Sequence, residues 1–301
     1  LPFGLSRKGP RPFAGAQWIT PELRVGDGPL FETSRFGLET GLNIAFGSLY
    51  TLELSAHHVF NNQVNYSISR EEKNRFETPN FGLSIALKKY FDTTSSLSSE
   101  NAQAYQKKRF DGFAKEGKLS AWNLAIGLSA NVSTSDVPML EAYDFIPDKP
   151  PLTVFPDVAV GYYSHKLDGG IRASWRPMTL TDQAYGVHYR IRQHRLAIEG
   201  FKFLFDYKGF VPFVGFSLGN DFINAELIDG ELPKIQDDYS ALSSGITFGW
   251  DIRPTETESW ILRTNLRYLI QSDSNVDILN ATGRNLEVNF IQMVIYPDRW
   301  K

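Results

Sequence analysis

The sequence predicts an all-β fold, a transmembrane antiparallel up-and-down β-barrel, and three observations support it. First, apolar residues alternate with small or polar ones over segments of about ten residues, the length a tilted strand needs to cross a hydrocarbon layer. In residues 36–46, Phe36, Leu38, Leu42, Ile44 and Phe46 share one face, and Gly37, Glu39, Gly41, Asn43 and Ala45 share the other. Residues 122–132 and 260–268 repeat the pattern. A period of two is the side-chain repeat of a strand. Second, the other face carries Gly, Ala, Ser, Asn and isolated charges, which suits a confined polar lumen. Third, aromatics collect at segment ends, as they do at the two interfaces of a membrane.

Twelve strands are expected, within a range of eight to fourteen: residues 13–19, 36–46, 50–60, 80–90, 121–132, 154–164, 170–177, 187–205, 210–222, 240–252, 260–270 and 286–296. Residues 64–69 extend a strand beyond the membrane. The connections are of two kinds. Residues 47–48, 166–170, 206–209 and 253–259 are short turns, whereas 20–35, 61–79, 133–153 and 223–239 are long and polar. With twelve strands the short turns fall on one side, the periplasm, together with both termini. Residues 92–120 break that rule. They stand where a short turn belongs, and their centre, 99–113, has helical composition with a Ser start. The whole chain, 1–301, is therefore read as one barrel domain with a periplasmic insertion at 92–120.

Composition excludes several classes. No apolar run reaches the roughly 18 residues of a membrane helix. The absence of cysteine removes a disulfide framework, a thiolate metal site, a Cys nucleophile and an N-terminal lipoprotein anchor on this chain. A net charge of −3 argues against a nucleic-acid partner. Leu1 in first position is read as the start of a trimmed product whose export signal has been removed.

Few residues suggest chemistry. None of the five histidines begins a His-x-Ser pair, and Ser164 and His165 are adjacent, so they face opposite ways along a strand. No catalytic residue is assigned. His57 and His58 are adjacent too and do not chelate together, and no metal or cofactor site is assigned. Asp144, Asp148, Asp237 and Asp238 lie in long loops and read as solvated acids. Arg190, Arg192 and His194 share one parity, as do Arg172 with Arg176 and Arg263 with Arg267. Buried charges require partners, so these arginines are expected to line the lumen with Glu39, Glu53, Asp251 and Glu287. The sharper alternative is an anion-selective constriction. A third is a surface site for lipopolysaccharide phosphates. Residues 1–12 are long enough to enter and plug a wide barrel. In the insertion, Tyr105, Phe110 and Phe113 alternate with Lys107, Lys108 and Arg109, a basic and partly apolar helix suited either to a partner groove or to a plug.

Residues 203–215, 249–254, 260–268 and 286–297 resemble outer-membrane barrel proteins of Bacteroidetes, including the small OmpW- and OmpA-like barrels. The segment Asp298–Lys301 departs from the common aromatic ending. The resemblance implies an outer-membrane location and permits an accessory role in the type 9 secretion system. Two functions follow as expectations. The chain is a non-catalytic accessory or scaffold subunit of an outer-membrane complex, in contact with lipid, lipopolysaccharide and other outer-membrane or periplasmic proteins. Alternatively it is a narrow passive pore for small solutes.

Overall fold

The computed structural model describes residues 9–19, 22–29, 31–32, 35–46, 50–60, 63–89, 100–133, 143–146, 152–207, 209–230, 233–272 and 283–300. Where periodicity predicts one barrel domain over 1–301, the structure has two compact units, residues 1–93 and 94–301. Most of residues 1–12, the predicted plug, and residues 92–99 lie outside the described residues.

The first unit holds β1 (Pro10–Ile19), β2 (Glu22–Leu23), β3 (Phe31–Glu32), β4 (Arg35–Phe46), β5 (Tyr50–Val59), β6 (Gln63–Ser67), β7 (Lys73–Glu77) and β8 (Phe81–Lys89). Strands β1, β4, β5 and β8 form a four-stranded antiparallel sheet in that order, while β2–β3 and β6–β7 are two small hairpin pairs. The β6–β7 pair is a separate two-stranded sheet within the β5–β8 connection, so residues 64–69 do not prolong a neighbouring strand as expected: β6 ends at Ser67 and pairs with β7.

The second unit begins with a helix, α1 (Glu100–Glu116). Eight strands follow: β9 (Ala121–Ser133), β10 (Thr153–Ser164), β11 (Gly169–Ala184), β12 (Val187–Phe203), β13 (Phe210–Asp229), β14 (Ile235–Ile252), β15 (Trp260–Gln271) and β16 (Arg284–Ile295). They close into an antiparallel barrel in sequence order, with β16 returning to β9. This corrects the expected count from twelve to eight. All twelve predicted segments are strands, but the first four belong to the separate sheet. Period-two patterning fixes which face of a strand is buried, not which strand lies beside it. A hairpin turn would have fixed that neighbour, and the thirty-residue connection between β8 and β9 removes it.

Alternation places Leu124, Ile126, Val160, Ile171, Trp175, Leu196, Ile198, Phe216, Leu218, Ile246, Phe248 and Leu266 on the barrel exterior, each more than two-fifths exposed. An apolar belt of this extent is not stable against water and defines a lipid-facing surface. Strand β16 breaks the alternation once. Its register with β9 shifts between Asn289 and Ile291, so Phe290 and Ile291 both face outward, while Asn289 and Gln292 both face in. The bulge keeps the apolar belt continuous across the barrel seam.

Strands β11 to β14 run 16, 17, 20 and 18 residues, well past the predicted ends at 177 and 222. About ten residues suffice to cross the bilayer, so these strands rise beyond it at one end. There β11 and β12 meet in a two-residue turn in which Tyr185 and Gly186 both have positive φ, 47° and 87°. That conformation matches the twist of a hairpin. Glycine accepts it freely, and Tyr185 is held there by an edge contact with Phe145 at 5.8 Å.

Ile126 is 55% exposed at mid-strand on the lipid face. Ile126→Arg is expected to destabilise the barrel by about 2–4 kcal/mol in lipid vesicles. Urea titration of vesicle-refolded protein measures this, and an unchanged midpoint would count against the lipid assignment.

Candidate functional site

Among the described residues, charged side chains converge on the inward face of the barrel. At mid-height it holds five arginines, Arg172, Arg176, Arg195, Arg263 and Arg267, and five carboxylates, Asp157, Glu199, Asp221, Asp251 and Glu287, all buried. They come from seven strands, β10 to β16, and β9 adds Ser129 and Asn131. Arg176 bridges Glu199 at 2.8 Å and Glu287 at 2.5 Å, while Arg172 holds Glu199 through Nε. Arg195 grips Asp221 with two nitrogens and also pairs with Glu287. Arg263 and Asp251 form a two-pronged pair at 2.7 and 2.8 Å. Arg267 donates to Asp157 at 2.8 Å, and Asp157 also accepts from Ser129 and Asn289. The charges balance, five against five, so the lumen has no net sign to select an ion.

Two apolar layers flank this network. At the end with the short turns, Tyr163, Phe203, Val211, Phe213, Ile261, Val294 and Tyr296 pack together. Arg263 lies over the Phe201 ring at 4.5 Å and over Phe213 at 4.8 Å. Gly249 is required there, because a Cβ would meet the Phe213 ring at 2.5 Å. Arg253 covers Phe203 at 4.5 Å. At the other end the inward residues of the extended strands, Leu180, Ala184, Val187, Tyr189, Ile191, Ile223, Ala225 and Leu227, close around Phe145 and Ile146. A cavity of about 10 Å³ beside Arg176, Gln193, Arg195 and Glu287 is room for one water. The lumen is thus filled in three layers.

Of the predicted lumen residues, Arg172, Arg176, Asp251, Arg263, Arg267 and Glu287 meet in this network. Glu39 and Glu53 do not. They lie on the polar face of the four-stranded sheet, where Glu53 pairs with Lys88. Arg190 and Arg192 are corrected outright: both point outward with His188 and His194. The sequence holds the signal for this. On β12, Leu196 and Ile198 occupy even positions and must face lipid, which sends Arg190 and Arg192 outward and Arg195 and Glu199 inward. Sequence alone does not pick out Asp157, Arg195, Glu199 and Asp221, because a lone charge on an alternating strand names no partner.

Helix α1 is seated at the short-turn end. Phe113 is buried, Phe110 meets His165 edge-on at 5.8 Å, and Arg109 covers the Phe113 ring at 5.4 Å. Buried Arg299 ties this end together, donating to the carbonyls of Leu119, Glu256 and Glu258. Burial pushes its guanidinium below its ordinary pKa, and the three carbonyls compensate the charge. Tyr105, Lys107 and Lys108 remain exposed. A cleft of about 590 Å³ runs between Tyr105, Lys108, Gly112, Ser259 and Trp300. On the barrel exterior beyond the apolar belt, a second cleft of about 640 Å³ includes Arg192, His194, Asn224 and Tyr239.

No histidine faces the barrel lumen among the described residues: His165 is in a turn, His188 and His194 face outward, and His57 and His58 are in the first unit. Among the described residues no cluster of His, Asp or Glu is placed to hold a metal ion.

The fold and its filled lumen define a membrane-spanning eight-stranded β-barrel. No family model and no curated protein matches the chain. Among solved structures it is similar to Neisserial surface protein A, with a TM-score of 0.43 and 11% identity over 59% of this chain and 98% of that one. It is also similar to Ail, the attachment invasion locus protein of Yersinia pestis, with a TM-score of 0.39 and 9% identity over 59% of this chain and 97% of that one.

Glu287 serves Arg176 and Arg195 at once. Glu287→Leu strands both guanidiniums without their shared carboxylate, and is expected to cost about 3–5 kcal/mol of barrel stability. Urea unfolding in vesicles, followed by tryptophan fluorescence, checks this. A loss below 1 kcal/mol, on the order of an exposed pair, would show that the network is not dry.

Proposed function

We propose that the chain is a non-catalytic integral outer-membrane barrel that serves as an accessory or scaffold subunit of an outer-membrane secretion or transport complex. The observation that carries this reading is the filled lumen. Ten buried charges in mutual compensation, with apolar layers at both ends, fill the lumen among the described residues and argue against a solute path. The narrow-pore alternative needs such a path, and the anion-selective version also needs uncompensated arginine. A barrel that neither conducts nor catalyses acts through its outer surfaces.

Those surfaces fit the role. Short turns face the periplasm and long strands face outward in barrels of this class. On that reading α1, its cleft and Trp300 lie on the periplasmic side. Tyr105, Lys107 and Lys108 then form a basic, aromatic contact for a periplasmic partner, held on the barrel by Phe110 and Phe113. Arg190, Arg192 and His194, outside the barrel beyond the apolar belt, suit lipopolysaccharide phosphates. An accessory barrel of the type 9 secretion system, the role that the sequence resemblance of residues 203–215 and 286–297 permits, is the assembly to test first.

In planar bilayers the intact protein is expected to show no steady conductance; large, sustained steps would restore the pore reading. Deleting residues 97–116 and rejoining the ends through a short Gly-containing turn is expected to leave a folded, silent barrel. Purified from native membranes in mild detergent, that variant is expected to lose the proteins that accompany the intact chain. If the partners stay and conductance appears, α1 is a plug and the docking role is wrong.

A further inference from the structure

The four-stranded sheet of residues 1–93 has the surface of a membrane barrel and the edges of an open sheet. One face carries the rows Leu42–Leu54–Ile85 and Ile44–Leu52–Leu87. Leu83 and Ile85 are each 76% exposed. Aromatics bound this band on both sides, Phe36, Phe60 and Phe81 at one and stacked Phe46 and Tyr50 at the other. The opposite face is polar: Arg11, Asn43 and Glu53 share a row, Ser55 bonds Ser84 at 2.6 Å, and Lys88 pairs with Glu53. This is the two-faced pattern of the closed barrel. Yet among the described residues the order β1-β4-β5-β8 leaves β1 and β8 each paired on one side only.

Given the outer-membrane reading above, on which this inference rests, such edges cannot stand. Hydrocarbon supplies no water to an unpaired backbone group, so a membrane sheet must close. The eight-stranded barrel has no edge to lend, because each of its strands is paired on both sides. Strand parity then picks the partner. In an up-and-down sheet of four strands, the first and last run in opposite directions, so β8 of one copy meets β1 of a second, equally oriented copy in the antiparallel sense. Pairing β1 with β1 would instead turn one copy upside down in the bilayer. The polar face is also incomplete on the β1 side, where Arg11 Nε, Gln17 Nε2 and Asn43 Oδ1 lack hydrogen-bond partners.

We infer that this sheet closes with the same sheet of a second copy, β1 against β8 in both directions, into a two-chain, eight-stranded barrel. Two copies give about eight strands, the size at which inward side chains fill the interior. The partner is a second copy of this chain, related by a two-fold axis along the membrane normal.

The chain has no cysteine, so introduced pairs report without background. Copies carrying Ala14→Cys or Ala16→Cys on β1 are refolded into vesicles with copies carrying Leu83→Cys, Ile85→Cys or Leu87→Cys on β8. Oxidation is expected to produce a species of twice the chain mass from at least one mixed pair. Native mass spectrometry of the unmodified protein is expected to show the same doubling without cross-links. A monomer by both measurements overturns the inference. In further variants that carry one cysteine on β8 with one on β9, or one on β1 with one on β16, disulfides within a single chain would indicate a single twelve-stranded barrel and also overturn it. Labelling of positions 83 and 85 by a membrane-impermeant maleimide would place the sheet in water and overturn it too. Protection of cysteines at 126 and 246 in the same vesicles would show that the barrel itself still spans the membrane.

Discussion

The buried salt-bridge network is the interaction on which the barrel depends. Moving a single guanidinium or carboxylate out of water costs several kcal/mol, and only good geometry with further hydrogen bonds recovers it. Here Asp221 accepts from both Arg195 and Gln271, Glu199 from Arg172, Arg176 and Ser174, and Asp157 from Arg267, Ser129 and Asn289. Asp221 and Asp157 each tie together residues from different strands, while Glu199 holds three residues of β11 and has Arg267 of β15 at 3.6 Å. The network therefore works across the lumen as well as along the wall. A one-residue slip of any strand would point its charge at lipid and its leucine at the network, so the same contacts that fill the lumen fix the register.

Composition along the barrel axis extends the same logic. Where strands are surrounded by lipid, the exterior is apolar and the interior is charged. Where β11 to β14 continue past the membrane, the arrangement inverts. The outside of β12 carries His188, Arg190 and Arg192, and its inside carries Val187, Tyr189 and Ile191. Water is then the outer solvent, and the extended strands fold around a small hydrophobic core of their own. One strand thus inverts the polarity of its two faces at the membrane surface while its alternation of burial continues unbroken.

That inversion explains what the sequence showed and what it hid. Strand positions were legible, because alternation survives in both regimes; so was the helix, from the composition of residues 99–113. Facing was legible only where Leu or Ile marked the lipid side. Arg190 and Arg192 lay beyond that mark, in the region where the polar face turns outward, and were assigned to the wrong side. Partners such as Arg195–Asp221 come from neighbouring strands and could be paired only once the register was known. Closure was the least legible feature. Strand β9 pairs with β16, some 150 residues later in the chain, and no local signal encodes a contact of that span.

The insertion between β8 and β9 has a topological consequence. In a chain of hairpins each turn commits the next strand to its neighbour, so a twelve-strand reading follows naturally from twelve strands. Breaking the series at 90–120 frees β9 to find another edge, and β16 supplies it. The helix in that insertion is then placed at the seam's short-turn end, where Arg299 just after β16 donates to Leu119 just before β9. One buried side chain from the end of the chain thus anchors the start of the barrel, and the first four strands are left to satisfy their edges by other means.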